Sequence, residues 1–255
     1  MVKRIIILLF LILYSCSSYI VESESSSKKI DLIKNYIKEE KYSKAKIELE
    51  YVIMYDPLSE FSNQAQYYLS ECYFYLGDYQ QAIIEYEKYL SRHDYKSDYI
   101  AHVYFMLCKC YFNLSLEYNK DQSDTYIAID KLQNYIEKDI MKDYINQIEE
   151  MILSLRSKLA KKDFYTASLY IKLEEFESAN IYYYSIINNY YDTKYVNDAL
   201  INIALLYFID NKSPLLFLKN HKSSFLSIND YDEALLLIEN LELDQDENYY
   251  TNFLR

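Results

Sequence analysis

Residues 64–90 read QAQYYLSECYFYLGDYQQAIIEYEKYL, and the reading of this stretch decides the fold. Leu69, Ser70 and Tyr73 in its first half are spaced as one face of an α-helix, and Ala82, Tyr86 and Tyr89 in its second half are spaced likewise. Between the halves stands Leu76-Gly77-Asp78-Tyr79, which holds the single glycine of the 255 residues. Glycine just past a helix end takes a left-handed backbone conformation without steric cost, so the chain is predicted to reverse there. The stretch is a helical hairpin.

The same pattern recurs on both sides. It appears as Tyr36 with Tyr42, Ala45 and Leu49; as Tyr73 with Tyr79, Ala82 and Tyr86; as Ala167, Tyr170, Phe176, Ala179 and Tyr183; and more loosely as Cys108, Tyr111, Ala128 and Leu132. The first-helix tyrosines step by 37 from Tyr36 to Tyr73, 38 to Tyr111, 59 to Tyr170 and 37 to Tyr207. Periods of this size with this signature resemble the tetratricopeptide repeat, whose small residues let paired helices approach closely. Leu69-Ser70-x-x-Tyr73 followed by Ala82 stands where that repeat has Leu-Gly-x-x-Tyr and then Ala, and Pro57 stands where its closing proline falls. The predicted fold is all-α, a tetratricopeptide-like helical-hairpin solenoid of about five repeats over residues 30–243.

The expected pairs are 30–39 with 43–55, 62–76 with 80–91, 98–116 with 125–138, 144–173 with 177–189, and a fifth opening at 194–209. A polar insertion, 119–124, delays the second helix of the third pair. The helix at 144–173 would be about 45 Å long. Along it Ile145, Ile148, Ile152, Leu155 and Leu159 keep one apolar stripe that a partner helix or domain must cover. Beyond Pro214 the pattern weakens: Tyr231-x-x-Ala234-x-x-x-Ile238 repeats the second-helix signature as a displaced closing helix or a cap. The stretch from Asp230 onward, rich in acids, is expected to fray, with 244–255 as an acidic tail.

At the other end, Lys3 and Arg4 precede an apolar run, Ile5 to Leu13, too short to span a bilayer and laid out as a secretory signal over residues 1–15. Leu13-Tyr14-Ser15-Cys16 resembles a bacterial lipobox, which implies acylation of Cys16 and cleavage before it. Ser17 in place of Asp implies, by resemblance to enterobacterial lipoproteins, delivery to the outer membrane. Residues 16–29, Ser-rich with Glu and Lys, read as a lipidated tether.

Composition narrows the function. One glycine and two prolines leave no phosphate-binding or dinucleotide-binding loop. Without Lys3 and Arg4, 25 basic side chains face 39 acidic ones, a net −14, which argues against nucleic acid as a partner. His93, His102 and His221 lie on distant elements with no nucleophile motif beside them, so no catalytic residue is predicted. Cys108 and Cys110 point about 200° apart on a helix and share no metal. With Cys72 they form an odd set that reads as buried small side chains. The acidic run 244–247 lacks the glycine and closing glutamate of a calcium loop. No metal and no cofactor beyond the lipid on Cys16 is expected, and the chain reads as a non-enzymatic binding scaffold.

The order of features resembles the BamD lipoproteins of the outer-membrane β-barrel assembly machinery: a lipobox, two tight repeats, an interrupted third, a long fourth helix and a weak fifth pair. Local similarities are Gly77-Asp78-Tyr79-Gln80-Gln81-Ala82-Ile83, Asp121-Gln122 with Thr125 and Ala128, Leu155-Arg156 with Leu159-Ala160-Lys161, and Asp192-Thr193 with Ala199-Leu200. Tyr191 and His93-Asp94 depart from the family's aromatic-Pro turns, and Phe208 stands after Tyr207 where many members have Arg. The resemblance implies a lipid-anchored protein on the periplasmic face of the outer membrane. Its C-terminal repeats would hold the periplasmic domains of the barrel-forming subunit, and its N-terminal repeats would receive unfolded outer-membrane proteins. The competing function is a periplasmic tetratricopeptide adaptor lipoprotein serving cell-envelope or division machinery.

In such repeats the first helix of each pair lines the concave surface. That places Lys34 and Ile37 of the first pair, Tyr67, Glu71 and Phe74 of the second, and His102, Phe105, Lys109 and Phe112 of the third along a candidate client groove, at helical spacings of three and four. Aromatic walls with a few cations suit a segment with alternating aromatics and a terminal carboxylate.

Overall fold

In the computed structural model the same backbone device closes three hairpins. Gly77 has φ +80°, and Glu40 and Glu174 take φ +56° and +60° at the equivalent points of two other turns. In each, two hydrogen bonds cap the preceding helix. Asp78 N donates to Tyr73 O and Gly77 N to Phe74 O; Lys41 N donates to Tyr36 O and Glu40 N to Ile37 O; Glu175 N donates to Tyr170 O and Glu174 N to Ile171 O, all at 2.8–3.0 Å. These are Schellman caps, which satisfy carbonyls that the helix end would otherwise leave unpaired. Only one of the three has the residue that meets the left-handed conformation without strain. At Gly77 an added Cβ would meet nothing within 4 Å, so the glycine answers the dihedral angle and not a lack of space.

The structure describes residues 28–55, 57, 60–92, 99–210 and 212–244, and the described residues are helical with no strand. The helices are α1 (28–38), α2 (Tyr42–Tyr55), α3 (Glu60–Tyr75), α4 (Tyr79–Arg92), α5 (Ile100–Leu114), α6 (Ser123–Ile136), α7 (Ile145–Lys172), α8 (Phe176–Asn189), α9 (Tyr195–Ile209), α10 (Pro214–Asn220) and α11 (Ile228–Asp244). Short 3₁₀ turns cover Asp139–Tyr144 and Lys222–Ser224. Within each compact unit consecutive helices pack as hairpins, the tetratricopeptide-like arrangement that the repeats predict, whereas α5 and α6, expected as the third pair, belong to different units. The first helix is already under way at residue 28, ahead of the expected start at Ile30. No helix among the described residues is long and apolar enough to cross a membrane.

The chain divides into two compact units. The first unit contains α1–α5 with residues 138–142. Its core joins Ile30 and Ile33 of α1, Ala45, Leu49 and Val52 of α2, and Ala65, Leu69 and Cys72 of α3, all buried. The second unit contains α6 to α11. There α7 packs on α6, α8 and α9, and α9 packs on α8, α10 and α11. The repeat alanines Ala45, Ala82, Ala128 and Ala179 are each fully buried, as expected of sites where two helices come close.

Of two expectations here, one is met from within the chain and one is corrected. The stripe on α7 is covered by partner helices of the chain itself: α7 packs on α6, α8 and α9, with Ile148, Leu155 and Leu159 buried and Ile145 and Ile152 half-buried. The stretch 230–244 does not fray. It forms α11 out to Asp244, with Tyr231, Ala234, Ile238 and Leu241 buried in the second unit's core beside Phe217, Leu218 and Phe225. Asp232, Glu233 and Glu239 are exposed on the other face. α10, opened by the Ser213 side chain accepting Leu216 N and by Pro214 at its first turn, fills the interval before it.

Candidate functional site

Seven of the nine groove residues stand on α3 and α5 of the first unit, with α4 beneath. Tyr67 makes ring contacts with Tyr68, Tyr89, Tyr99 and His102, and burial pushes its phenol well above the usual tyrosine range. His102 Nε2 lies 3.8 Å from Glu71 Oε1. Glu71 is itself 8% exposed and accepts a hydrogen bond from the hydroxyl of Tyr86, which is wholly buried on α4. One turn along, the Lys109 ammonium sits 5.6 Å from the centre of the Phe74 ring and 5.3 Å from that of Phe105. Cations near ring faces are held by the ring quadrupole, so Lys109 is positioned by the aromatics that flank it.

Within this cluster the side chains divide by depth. Phe105 is 8% exposed and serves the core, and Glu71 is engaged by Tyr86; Tyr67, Phe74, His102, Lys109 and Phe112 are half-buried and line the surface. Lys34 is exposed on α1, and Ile37 packs against the α1–α3 core. The surface that remains is aromatic with one lysine and one histidine, and the glutamate behind it is held by a phenol. Cys72, Cys108 and Cys110 are buried free thiols, and burial pushes each up to about 12, so none is poised as a thiolate. No group of three or more His, Cys, Asp or Glu among the described residues could hold a metal ion. Cys16, the predicted lipid-attachment residue, lies outside the described residues, as do His93 and the tail beyond Asp244.

The second unit shows what the short motifs are for. Arg156 donates from Nε and Nη2 to both carboxylate oxygens of Asp192 at 2.6–3.0 Å, and from Nη2 to Asn189 O at 2.8 Å. The guanidinium also faces the rings of Tyr190 and Tyr191 at 5.8 and 5.7 Å. Two motifs 36 residues apart in sequence therefore form one clamp between α7 and the α8–α9 turn. That turn closes without proline, because Thr193 N and Oγ1 both donate to Tyr190 O at 3.0 and 2.8 Å. In the polar insertion, Gln122 is 4% exposed and its Nε2 donates to Glu117 O and Lys120 O, while Thr125 Oγ1 donates to its Oε1. The insertion is thus tied down by a buried amide that reads, in sequence, as one more loop polar residue. Lys158 Nζ, on α7, donates to Ser115 O and Oγ, which ties the segment just ahead of the insertion to the long helix.

Residues 22–208 match the family described as YfiO, outer membrane lipoprotein. Over 167 residues the chain is 25% identical to the outer membrane protein assembly factor BamD of Rickettsia prowazekii, a similarity covering 66% of this chain and 66% of that protein, so just under two thirds of the relative is spanned.

Proposed function

The chain belongs to the YfiO family of outer membrane lipoproteins, and from that premise we propose that it is a non-enzymatic scaffold for assembling β-barrel proteins in the outer membrane. It is held on the periplasmic face by acyl chains on Cys16. Its second unit engages the periplasmic domains of the barrel-forming subunit, and its first unit receives unfolded barrel proteins. The observation that carries the client-binding part is the surface of Tyr67, Phe74, His102, Lys109 and Phe112. Those rings offer apolar contact, and Lys109 supplies the charge that a C-terminal carboxylate would meet. Glu71 does not compete for that lysine, since its carboxylate is taken by Tyr86 and faces His102.

The test is a titration with a fluorescent peptide of alternating aromatics, made as the free acid and as the C-terminal amide. Lys109→Glu is expected to weaken the acid form about tenfold and the amide form far less, with salt reproducing the loss. Phe74→Ala should weaken both. Phe105→Ala is a poor probe, because truncating a buried phenylalanine removes about 3 kcal/mol or more of stability before it reports on binding. Equal affinity for acid and amide removes the role of Lys109, and undiminished binding by both variants removes the groove. Co-purification of the wild-type chain separates the two broad functions: recovery of a large β-barrel subunit supports assembly, and recovery of division or cell-wall proteins instead supports a periplasmic adaptor. Deleting residues 195–255 is not a usable alternative, because α9 buries Val196, Ala199, Leu200 and Ile203 through Leu206 in the second unit's core.

A further inference from the structure

The family match ends at residue 208, and the chain's charge changes sign just beyond it. The protein carries a net −12, yet residues 212–229 hold Lys212, Lys219, Lys222 and His221 with no aspartate or glutamate. Lys212 is spent on Asp210 at 3.0 Å. The other two lysines stand at one place, the corner between α10 and α11, around a cavity of about 540 Å³ lined also by Asn220, Ser223, Leu226, Ser227 and Ile228. Buried Phe225 also lines it. Lys222 reaches over the Tyr231 ring at 5.0 Å, which leaves its ammonium at the surface. Leu226 and Ile228 are 49% and 53% exposed, large apolar side chains on the same cavity as the cations, and Leu216 on α10 is 58% exposed. Of the acids that begin α11, Asp230 adjoins the cavity, its carboxylate accepting from the Oγ of lining Ser227 at 2.7 Å, while Asp232 and Glu233 follow it along the helix.

We propose that this corner docks on anionic phospholipid headgroups at the membrane surface. The occupant follows from the chemistry. Two cations with amide and hydroxyl donors meet a phosphate diester, and a rim of leucine and isoleucine enters the boundary between headgroups and acyl chains. An acidic protein is otherwise repelled by an anionic bilayer, so a basic, apolar corner also fixes which face can approach. The proposal rests on the reading that Cys16 is acylated, because one end already tethered to the bilayer raises the local concentration of headgroups at a weak second contact.

The chain has no tryptophan, so Leu226→Trp makes a single reporter at the rim. The lipidated full chain is reconstituted into vesicles of phosphatidylcholine alone or with phosphatidylglycerol. Flotation reads the anchor; tryptophan emission and acrylamide quenching read the corner. The expected result is a blue-shifted, protected tryptophan only when phosphatidylglycerol is present, reversed by salt. Lys219→Gln with Lys222→Gln should lower the docked-to-undocked ratio about 30-fold, roughly fivefold per lysine. Circular dichroism of each variant verifies that the helices persist. A floating protein whose emission is the same in both lipids overturns the proposal and leaves the anchor standing, whereas failure to float overturns the anchor reading. Equal shifts from a tryptophan placed at exposed Ile181 on α8, or full docking by the double lysine variant, overturn it too. So does a shift produced by an acidic apolar peptide and not by phosphatidylglycerol.

Discussion

Tyr86→Phe isolates a single buried interaction. The ring is wholly buried at a second-helix packing position, and its hydroxyl donates to Glu71 Oε1. Phenylalanine fills the same volume, so no cavity follows and only the hydrogen bond is lost. Bonds to a charged acceptor contribute about 1.5–3 kcal/mol, and Glu71, 8% exposed, is left with His102 at 3.8 Å as its remaining neighbour in the cluster. The expected destabilisation is about 2 kcal/mol, read as a lower urea midpoint at constant slope by far-ultraviolet circular dichroism. Combined with Glu71→Gln, the double-mutant cycle should return a coupling of about 1 kcal/mol. The hydroxyl also gives stability a pH dependence of fixed sign. Burial, and then the Glu71 carboxylate, hold this phenol's ionisation far above the usual tyrosine range. Its contribution is therefore complete below about pH 10, and falls as pH rises further, by about 1.4 kcal/mol per unit while the unfolded phenol ionises and the folded one does not. Tyr86→Phe should flatten that alkaline limb. A midpoint change worth less than about 0.5 kcal/mol, with an unaltered alkaline limb, would refute the claim that this hydroxyl is engaged.

The three caps make a second comparison. Glu174→Gly and Glu40→Gly should each stabilise by about 0.5–1 kcal/mol, since glycine relieves the left-handed conformation but gives back some entropy to the unfolded chain, and Gly77→Ala should destabilise by about 1 kcal/mol. All three are read from urea midpoints, and equal effects at the three sites would contradict the cap assignment. Arg156→Lys keeps the charge but loses the two-oxygen grip on Asp192, so a loss of about 1 kcal/mol is expected, partly retained in high salt because the Asn189 carbonyl contact is not an ion pair. Cys16→Ser should move the protein from the membrane to the soluble fraction or leave it unprocessed; unchanged fractionation together with unchanged mass excludes acylation at that residue.

The hairpins were legible because their determinants are local. A glycine after a helix, an alanine four residues into the next, and a period of 37 or 38 each act over a turn or two of chain, and backbone sterics and helical periodicity read the same in any context. α3 and α4 follow from residues 64–90 alone. The groove was half legible for the same reason: spacing on α3 and α5 places Tyr67, Phe74, His102 and Lys109 along one side of each helix. Depth was not. Phe105 and Phe112 are both phenylalanines at helical spacing, and only the packing of α5 makes one core and the other surface.

What tertiary structure alone decided are the contacts between residues far apart in the chain. Arg156 and Asp192 read as two unrelated motif fragments, 36 residues apart, until the long helix and the α8–α9 turn bring guanidinium and carboxylate together. The acids of α11 suggested a fraying tail, since net charge along a segment says nothing of a buried face; Tyr231, Ala234, Ile238 and Leu241 hold that helix because α9 and α10 supply the surface they bury against. Local sequence set where the chain turns and which side of each helix is apolar, because those depend on dihedral preference and a 3.6-residue period. Which apolar side is covered, and by what, is a property of the assembled helices, because burial is measured against neighbours that sequence spacing does not name.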